Sequence, residues 1–85
     1  MFTVEYSKSS RKILRRLPRN LANRLLNKMD DIARNPYARH NNVTSLQGSP
    51  YYRLRMGDWR VVYEIQDEKL IILVIKVASR GKVYK

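Results

Sequence analysis

The chain has no cysteine and a single histidine among its 85 residues. Disulfide cross-links and thiolate zinc sites are therefore excluded, and the lone imidazole of His40 makes a histidine-based metal centre a poor expectation. Long apolar runs are missing too. The longest, Leu70 to Ile75, is far shorter than the roughly 20 residues a membrane-spanning helix requires. No secretory pattern opens the chain, which enters an alternating segment at once, so a soluble cytoplasmic protein is expected. Acidic residues are scarce as well: seven Asp and Glu stand against eighteen Lys and Arg, a net charge of +11. On so small a surface that excess attracts polyanions, nucleic acid first. An anionic membrane would call for bulky aromatics on a basic amphipathic helix, and the segments read below as helices carry no Trp or Phe. An acidic protein that masks the charge is the other partner class.

A chain of this length is expected to form one domain, residues 1–85, burying about two-thirds of its unfolded surface and leaving no room for a deep cavity. "FTVEY" alternates Phe2, Val4 and Tyr6 with Thr3 and Glu5, the period of a half-buried strand. "SKSSRKILRRL" then places Ile13, Leu14 and Leu17 on one side of a short helix. Pro18 breaks or restarts it, and Leu21, Leu25, Leu26, Met29, Ile32 and Ala33 continue at helical spacing. The two helices are expected to pair over one face of a sheet. "RNPYARHNN" reads as a loop, Val43 to Leu46 as a short strand, and "KLIILVIKV" as a central strand buried on both faces. No repeat, low-complexity segment or linker is visible. The fold class is α+β, with an N-terminal strand and a two-helix hairpin packed on one face of a small, mainly antiparallel sheet.

The stretch "YYRLRMGDWRVVYEI" predicts a β-hairpin whose Gly57-Asp58 turn admits positive φ at its first residue. Counting outward pairs Met56 with Trp59, Arg55 with Arg60, Leu54 with Val61, Arg53 with Val62, Tyr52 with Tyr63 and Tyr51 with Glu64. One face is then apolar, and the other carries Tyr51, Arg53, Arg55, Arg60, Val62 and Glu64. Like charges directly opposite in a ladder cost up to about 1 kcal/mol. An anion between them would offset that, and guanidinium forks match phosphate oxygens. A solvated face whose arginines splay apart is the competing reading.

If the face is catalytic, its residue types restrict the reaction. It holds no Cys or His and no two-metal carboxylate cluster, so thiol, imidazole and two-metal chemistries are not expected, and no cofactor is called for. Arginines suit stabilisation of a phosphorane-like transition state, and RNA brings its own nucleophile in the 2′-hydroxyl. Tyr84 and Glu64 are the candidate proton carriers, Glu64 also being a candidate salt-bridge partner. Tyr51 is the stacking candidate on the arginine face. Trp59 and Tyr63 fall on the apolar face and read as core, and His40 reads as a surface loop residue. The basic cluster Lys8, Arg11, Lys12, Arg15, Arg16 and Arg19 is either an RNA-docking surface or a solvated helix face.

The segment "SLQGSPYYRLRMGDWRVVYEI", the apolar strand after it and the tail "VASRGKVYK" resemble the RelE toxins of the RelE/ParE superfamily of bacterial toxin-antitoxin systems, over nearly the whole chain. The resemblance implies a RelE-like, microbial-ribonuclease-like fold and ribosome-dependent, metal-independent cleavage of mRNA in the ribosomal A site. It implies a cognate antitoxin as partner, in a toxin-antitoxin hetero-oligomer. It also implies that Arg53 and Arg55 stand where RelE toxins carry two basic residues, often lysines, at the scissile phosphate. Arg60 and Arg80 would match phosphate-binding arginines, and Tyr84 a C-terminal tyrosine that stacks on a base and takes the 2′-hydroxyl proton. Lys82 would contact RNA or move a proton. Arginine cannot readily lose a proton, so a mechanism in which those lysines shuttle one is in doubt here. Period-two parity sets Arg80 opposite Val77 and Ser79, and its approach to the site is expected to need a strand end or bulge near Gly81. The rival functions are a ParE-like inhibitor of DNA gyrase and a noncatalytic nucleic-acid-binding or antitoxin-bound module.

Overall fold

A computed structural model describes residues 1–79. Its strands are β1 (Thr3–Tyr6), β2 (Val43–Ser45), β3 (Tyr51–Met56), β4 (Trp59–Gln66) and β5 (Ile71–Ser79), and its helices are α1 (Lys8–Arg16) and α2 (Arg19–Arg34). The sheet order is β1-β5-β4-β3-β2. β1 runs parallel to β5, and the other three pairings are antiparallel. This is the α+β arrangement expected from the sequence, with the N-terminal strand at one edge.

Helix boundaries follow local chemistry. Ser7 caps α1, its Oγ accepting from the Ser10 N–H at 3.2 Å, and Arg15 and Arg16 fill the last turn, where their charge complements the helix dipole. Pro18 stands at the N-cap of α2, because a residue with no N–H loses nothing there. The α2 stripe Leu25, Met29, Ile32 and Ala33 is fully buried against Leu54, Val61, Tyr63, Ile72, Val74 and Val77 of the sheet. Ile13 and Leu14 of α1 and its C-cap Leu17 pack on the margin of that core, and the helices cover one sheet face.

Among the described residues no helix covers the other face, which corrects one expectation. β5 is central, but only Ile72, Val74 and Val77 are buried, while Ile71, Leu73 and Ile75 are half-buried and Lys76 is exposed. A register shift explains the unbroken apolar run: Val62 pairs with Lys76 and Tyr63 with Val74, so Ile75 is an extra residue. Such a bulge resets the alternation, returning Val77 to the covered face two residues later. A single 3-10 turn, Asp67–Lys69, joins β4 to β5 and was not expected. No helix among the described residues is long and apolar enough to cross a membrane.

Candidate functional site

The β3–β4 hairpin forms in the expected register, from Met56 opposite Trp59 to Tyr51 opposite Glu64. Gly57 opens its turn at φ +59°, a backbone region glycine enters without the Cβ penalty. Tyr52, Leu54, Met56, Trp59, Val61, Tyr63 and Ile65 all belong to the core or pack against it, so Trp59 and Tyr63 are core residues. The rings of Tyr52 and Tyr63 stack at 5.5 Å.

On the open face, Arg55 is directly opposite Arg60, and each finds its own oxygen. Arg60 Nη1 donates to the carbonyls of Gly57 at 2.9 Å and Trp59 at 3.0 Å, and the residue is only 8% exposed. It is a buried tie across the turn as well as a charge. Arg55 is exposed and donates from Nη2 to Asn42 Oδ1 at 3.2 Å. Asn42 sits at φ +66°, the left-handed region that asparagine tolerates best among side-chain-bearing residues, and its carbonyl accepts from the Arg55 N–H at 2.9 Å. Thr44, on β2, stands opposite Arg53. Asn42, Thr44, Arg53, Arg55 and Arg60 together line a cavity of about 300 Å³. The sequence reading singled out the three arginines and missed Asn42 and Thr44, whose signal is the short edge strand that follows "HNN".

The remaining expected residues are placed differently. Tyr51 and Glu64 are half-buried and cross-strand neighbours on this face, outside the cavity lining. The Glu64 carboxylate accepts from Gln66 Nε2 at 2.8 Å. Lys8, Arg11, Lys12 and Arg15 are exposed along α1, as are Arg16 and Arg19. His40 is half-buried, its Nε2 within 2.8 Å of the Asn35 carbonyl at the C-cap of α2, which is a structural position. Arg80, Lys82 and Tyr84 lie outside the described residues, as does the turn expected at Gly81. Val77 and Ser79 pair with Val61 and Trp59 on the helix-covered face, so the arginine face is the one opposite them. Among the described residues no group of three or more His, Cys, Asp or Glu is placed to hold a metal ion.

Burial pushes two tyrosine hydroxyls up to about 12, and Tyr37 reaches the same value chiefly through the hydrogen bond its hydroxyl donates to Asp67 Oδ2 at 2.6 Å. The two buried ones are Tyr63, where Tyr52 adds to the effect, and Tyr6, where the Asp30 carboxylate does. All three stay protonated at neutral pH and none suits the role of a base. What the cavity offers is fixed positive charge and donors, matched to a phosphate.

A sequence profile of the ParE toxin of the type II toxin-antitoxin system, parDE, matches residues 4–84. The mRNA interferase toxin RelE of Escherichia coli strain K12 is 24% identical over 81 residues, covering 95% of this chain and 85% of that protein. Among solved structures, that of the archaeal RelE–RelB complex from Pyrococcus horikoshii OT3 contains a chain 30% identical, with a TM-score of 0.81, covering 96% of this chain and 98% of that one. The YoeB/ParE toxin from Agrobacterium tumefaciens shares the fold at 18% identity and a TM-score of 0.78, covering 92% and 98%. The resemblance read from the hairpin motif and the element order is thereby confirmed: the chain belongs to the ParE toxin family of type II toxin-antitoxin systems, within the RelE/ParE superfamily.

Proposed function

We propose that this toxin is a ribosome-dependent mRNA endonuclease that stops translation in the cytoplasm. The observation that carries the reading is the cavity on the open sheet face, where Arg53, Arg55 and Arg60 converge with Asn42 and Thr44. In the reaction the RNA 2′-oxygen attacks the adjacent phosphorus and the bond to the 5′-oxygen breaks, leaving a 2′,3′-cyclic phosphate and a 5′-hydroxyl. One proton leaves the 2′-hydroxyl and one reaches the departing 5′-oxygen. The arginines hold the phosphate and spread the charge that develops on its oxygens. They do not carry the protons, because a guanidinium stays protonated at any physiological pH. Tyr84, Lys82, Glu64 or a group of the ribosome takes that role, and Arg80 completes the phosphate contacts. Of these Glu64 stands one position along the face from Val62, which pairs with Arg53, so a carboxylate lies diagonal to one arginine.

A second reading is favoured by a specific observation: the matching family profile is that of the ParE toxin, and both expected lysine positions are arginine. On that reading the chain inhibits DNA gyrase without cutting RNA. A noncatalytic antitoxin-bound module is the third. Relatives have been solved in complex with a RelB antitoxin, and we expect a cognate antitoxin here too. The half-buried strip Ile71, Leu73 and Ile75 gives such a partner apolar surface on the same sheet face as the arginines, towards the end of β5 that pairs with Glu64 and Gln66.

In vitro translation with primer-extension mapping tests the three readings together. Cuts confined to translated frames, and lost in Arg55→Ala, support the nuclease. Intact mRNA with blocked gyrase supercoiling supports the second reading, and neither effect supports the third.

A further inference from the structure

A second concavity, a groove of about 740 Å³, separates one side of α2 from the end of the β3–β4 hairpin. Arg24, Asn27, Lys28 and Asp31 line it from α2, at the spacing that stacks side chains on one helix face. Asn42, Arg55 and Arg60 line it from the other side and also line the arginine cavity, so the two concavities share a wall. Four cationic side chains and two carboxylates face the groove. Asp31 already has a cationic partner on its own helix, Arg34 at 3.3 Å. Among the described residues neither Arg24 nor Lys28 makes an ion pair, although Lys28 is half-buried. Cations on both walls repel across the gap unless a polyanion lies between them, and the polar lining does not suit an apolar ligand.

A strand with one phosphate among Arg53, Arg55 and Arg60 must continue on both sides of it, and the shared wall leads one continuation into the groove. We propose that this groove holds backbone phosphates of the RNA flanking the cleaved linkage, with Arg24 and Lys28 as its contacts. The assignment rests on the nuclease reading for the choice of RNA, and its test is separate from that reading.

The test compares binding of single-stranded 2′-O-methyl oligonucleotides, which cannot be cleaved, in a trinucleotide and a nonanucleotide length. For Arg24→Gln/Lys28→Gln the nonanucleotide affinity falls about tenfold. Its log–log salt dependence flattens by about 1.4, two phosphates at about 0.7 each on a single strand, while the trinucleotide affinity moves far less. Arg39→Gln/Lys69→Gln removes the same charge from exposed positions outside both concavities and serves as the control. Equal nonanucleotide affinity in the groove variant and wild type overturns the proposal, as does an equal loss in that control. Loss of an acidic peptide without loss of the oligonucleotide overturns it in favour of a protein occupant. Far-UV circular dichroism and the thermal midpoint establish that the variant is folded, and Arg24→Lys/Lys28→Arg restores binding if charge is what matters. A wild type that binds with this length dependence yet leaves mRNA uncut on ribosomes overturns the nuclease reading and supports the groove.

Discussion

Arg55 and Arg60 are cross-strand partners of identical chemistry in different situations, and substitution should separate them. Arg55 is exposed with one hydrogen bond to Asn42. Arg55→Ala should lower mRNA cleavage by about 10² or more, the usual effect of losing a transition-state donor, with stability changed by no more than about 0.5 kcal/mol. Arg60 ties two turn carbonyls, so Arg60→Ala should lose cleavage and also about 1.5–3 kcal/mol, read as a fall in the thermal midpoint. Arg60→Lys keeps the charge and should not recover the midpoint fully, because the two coplanar N–H groups of Nη1 that reach both carbonyls have no counterpart on an ammonium. Tyr63 presents the opposite case. Its hydroxyl is buried with no hydrogen-bond partner among the described residues, so Tyr63→Phe should leave the midpoint unchanged or raise it. A clear fall would reveal a partner for that hydroxyl. The same burial gives a pH signature. Tyr63 and Tyr6 hold their protons in the fold to about 12 against 10.0 unfolded, so between those values the native state binds more protons than the unfolded one. The stability they contribute is fully present below pH 10 and is lost as pH rises towards 12. Unfolding titrations should fall over that window, and Tyr6→Phe should flatten part of the slope.

At the scale of elements, the junction between α1 and β5 is where a small number of hydroxyls hold a backbone irregularity. Ser10 is fully buried and donates from Oγ to the Val74 carbonyl at 3.3 Å. Ser7 Oγ lies 2.8 Å from Ser10 Oγ and 3.2 Å from the Ile75 carbonyl, and the Ser7 N–H donates to Val74 at 2.9 Å. These bonds satisfy carbonyls beside the extra residue of β5. Were the same residues to alternate regularly with no bulge, Lys76 would point into the core and Val77 into solvent. With the bulge, Ala78 stands beside Arg60 on the open face, where a small side chain leaves the guanidinium room. Ser7→Ala should cost about 1–2 kcal/mol in chemical denaturation, the upper range for an N-cap, because the same oxygen also serves β5. A loss of only a few tenths would mean that the bulge holds without it.

For the whole molecule, the charge of +11 governs encounter more than fold. Three arginines on phosphates of a single strand predict a log–log salt slope for RNA binding of about −2, and contacts from the exposed cations of α1 steepen it. Titrating salt against ribosome binding measures this. Removing Arg11 and Arg15 should flatten the slope while leaving the mapped cleavage positions where they are, and shifted positions would instead place α1 in the choice of site. The open sheet face belongs to the same scale. Among the described residues helices cover one side of the sheet alone, which keeps Ile71, Leu73 and Ile75 partly in water on the same face as the arginines. Covering both at once requires a partner with apolar and acidic segments.

The amino-acid sequence by itself determined the strands and helices, the hairpin register, the division of its side chains between two faces and the superfamily. Local periodicity and a glycine turn are enough for that, since neighbours along the chain settle which way each side chain points. Tertiary structure alone decided the rest: β5 between β1 and β4, the extra residue at Ile75, the burial of Arg60, and the gathering of Asn42, Thr44, Arg24 and Lys28 around the arginines. Those features depend on which distant elements pack together and on which carbonyls the packing leaves unpaired. No window of sequence contains either.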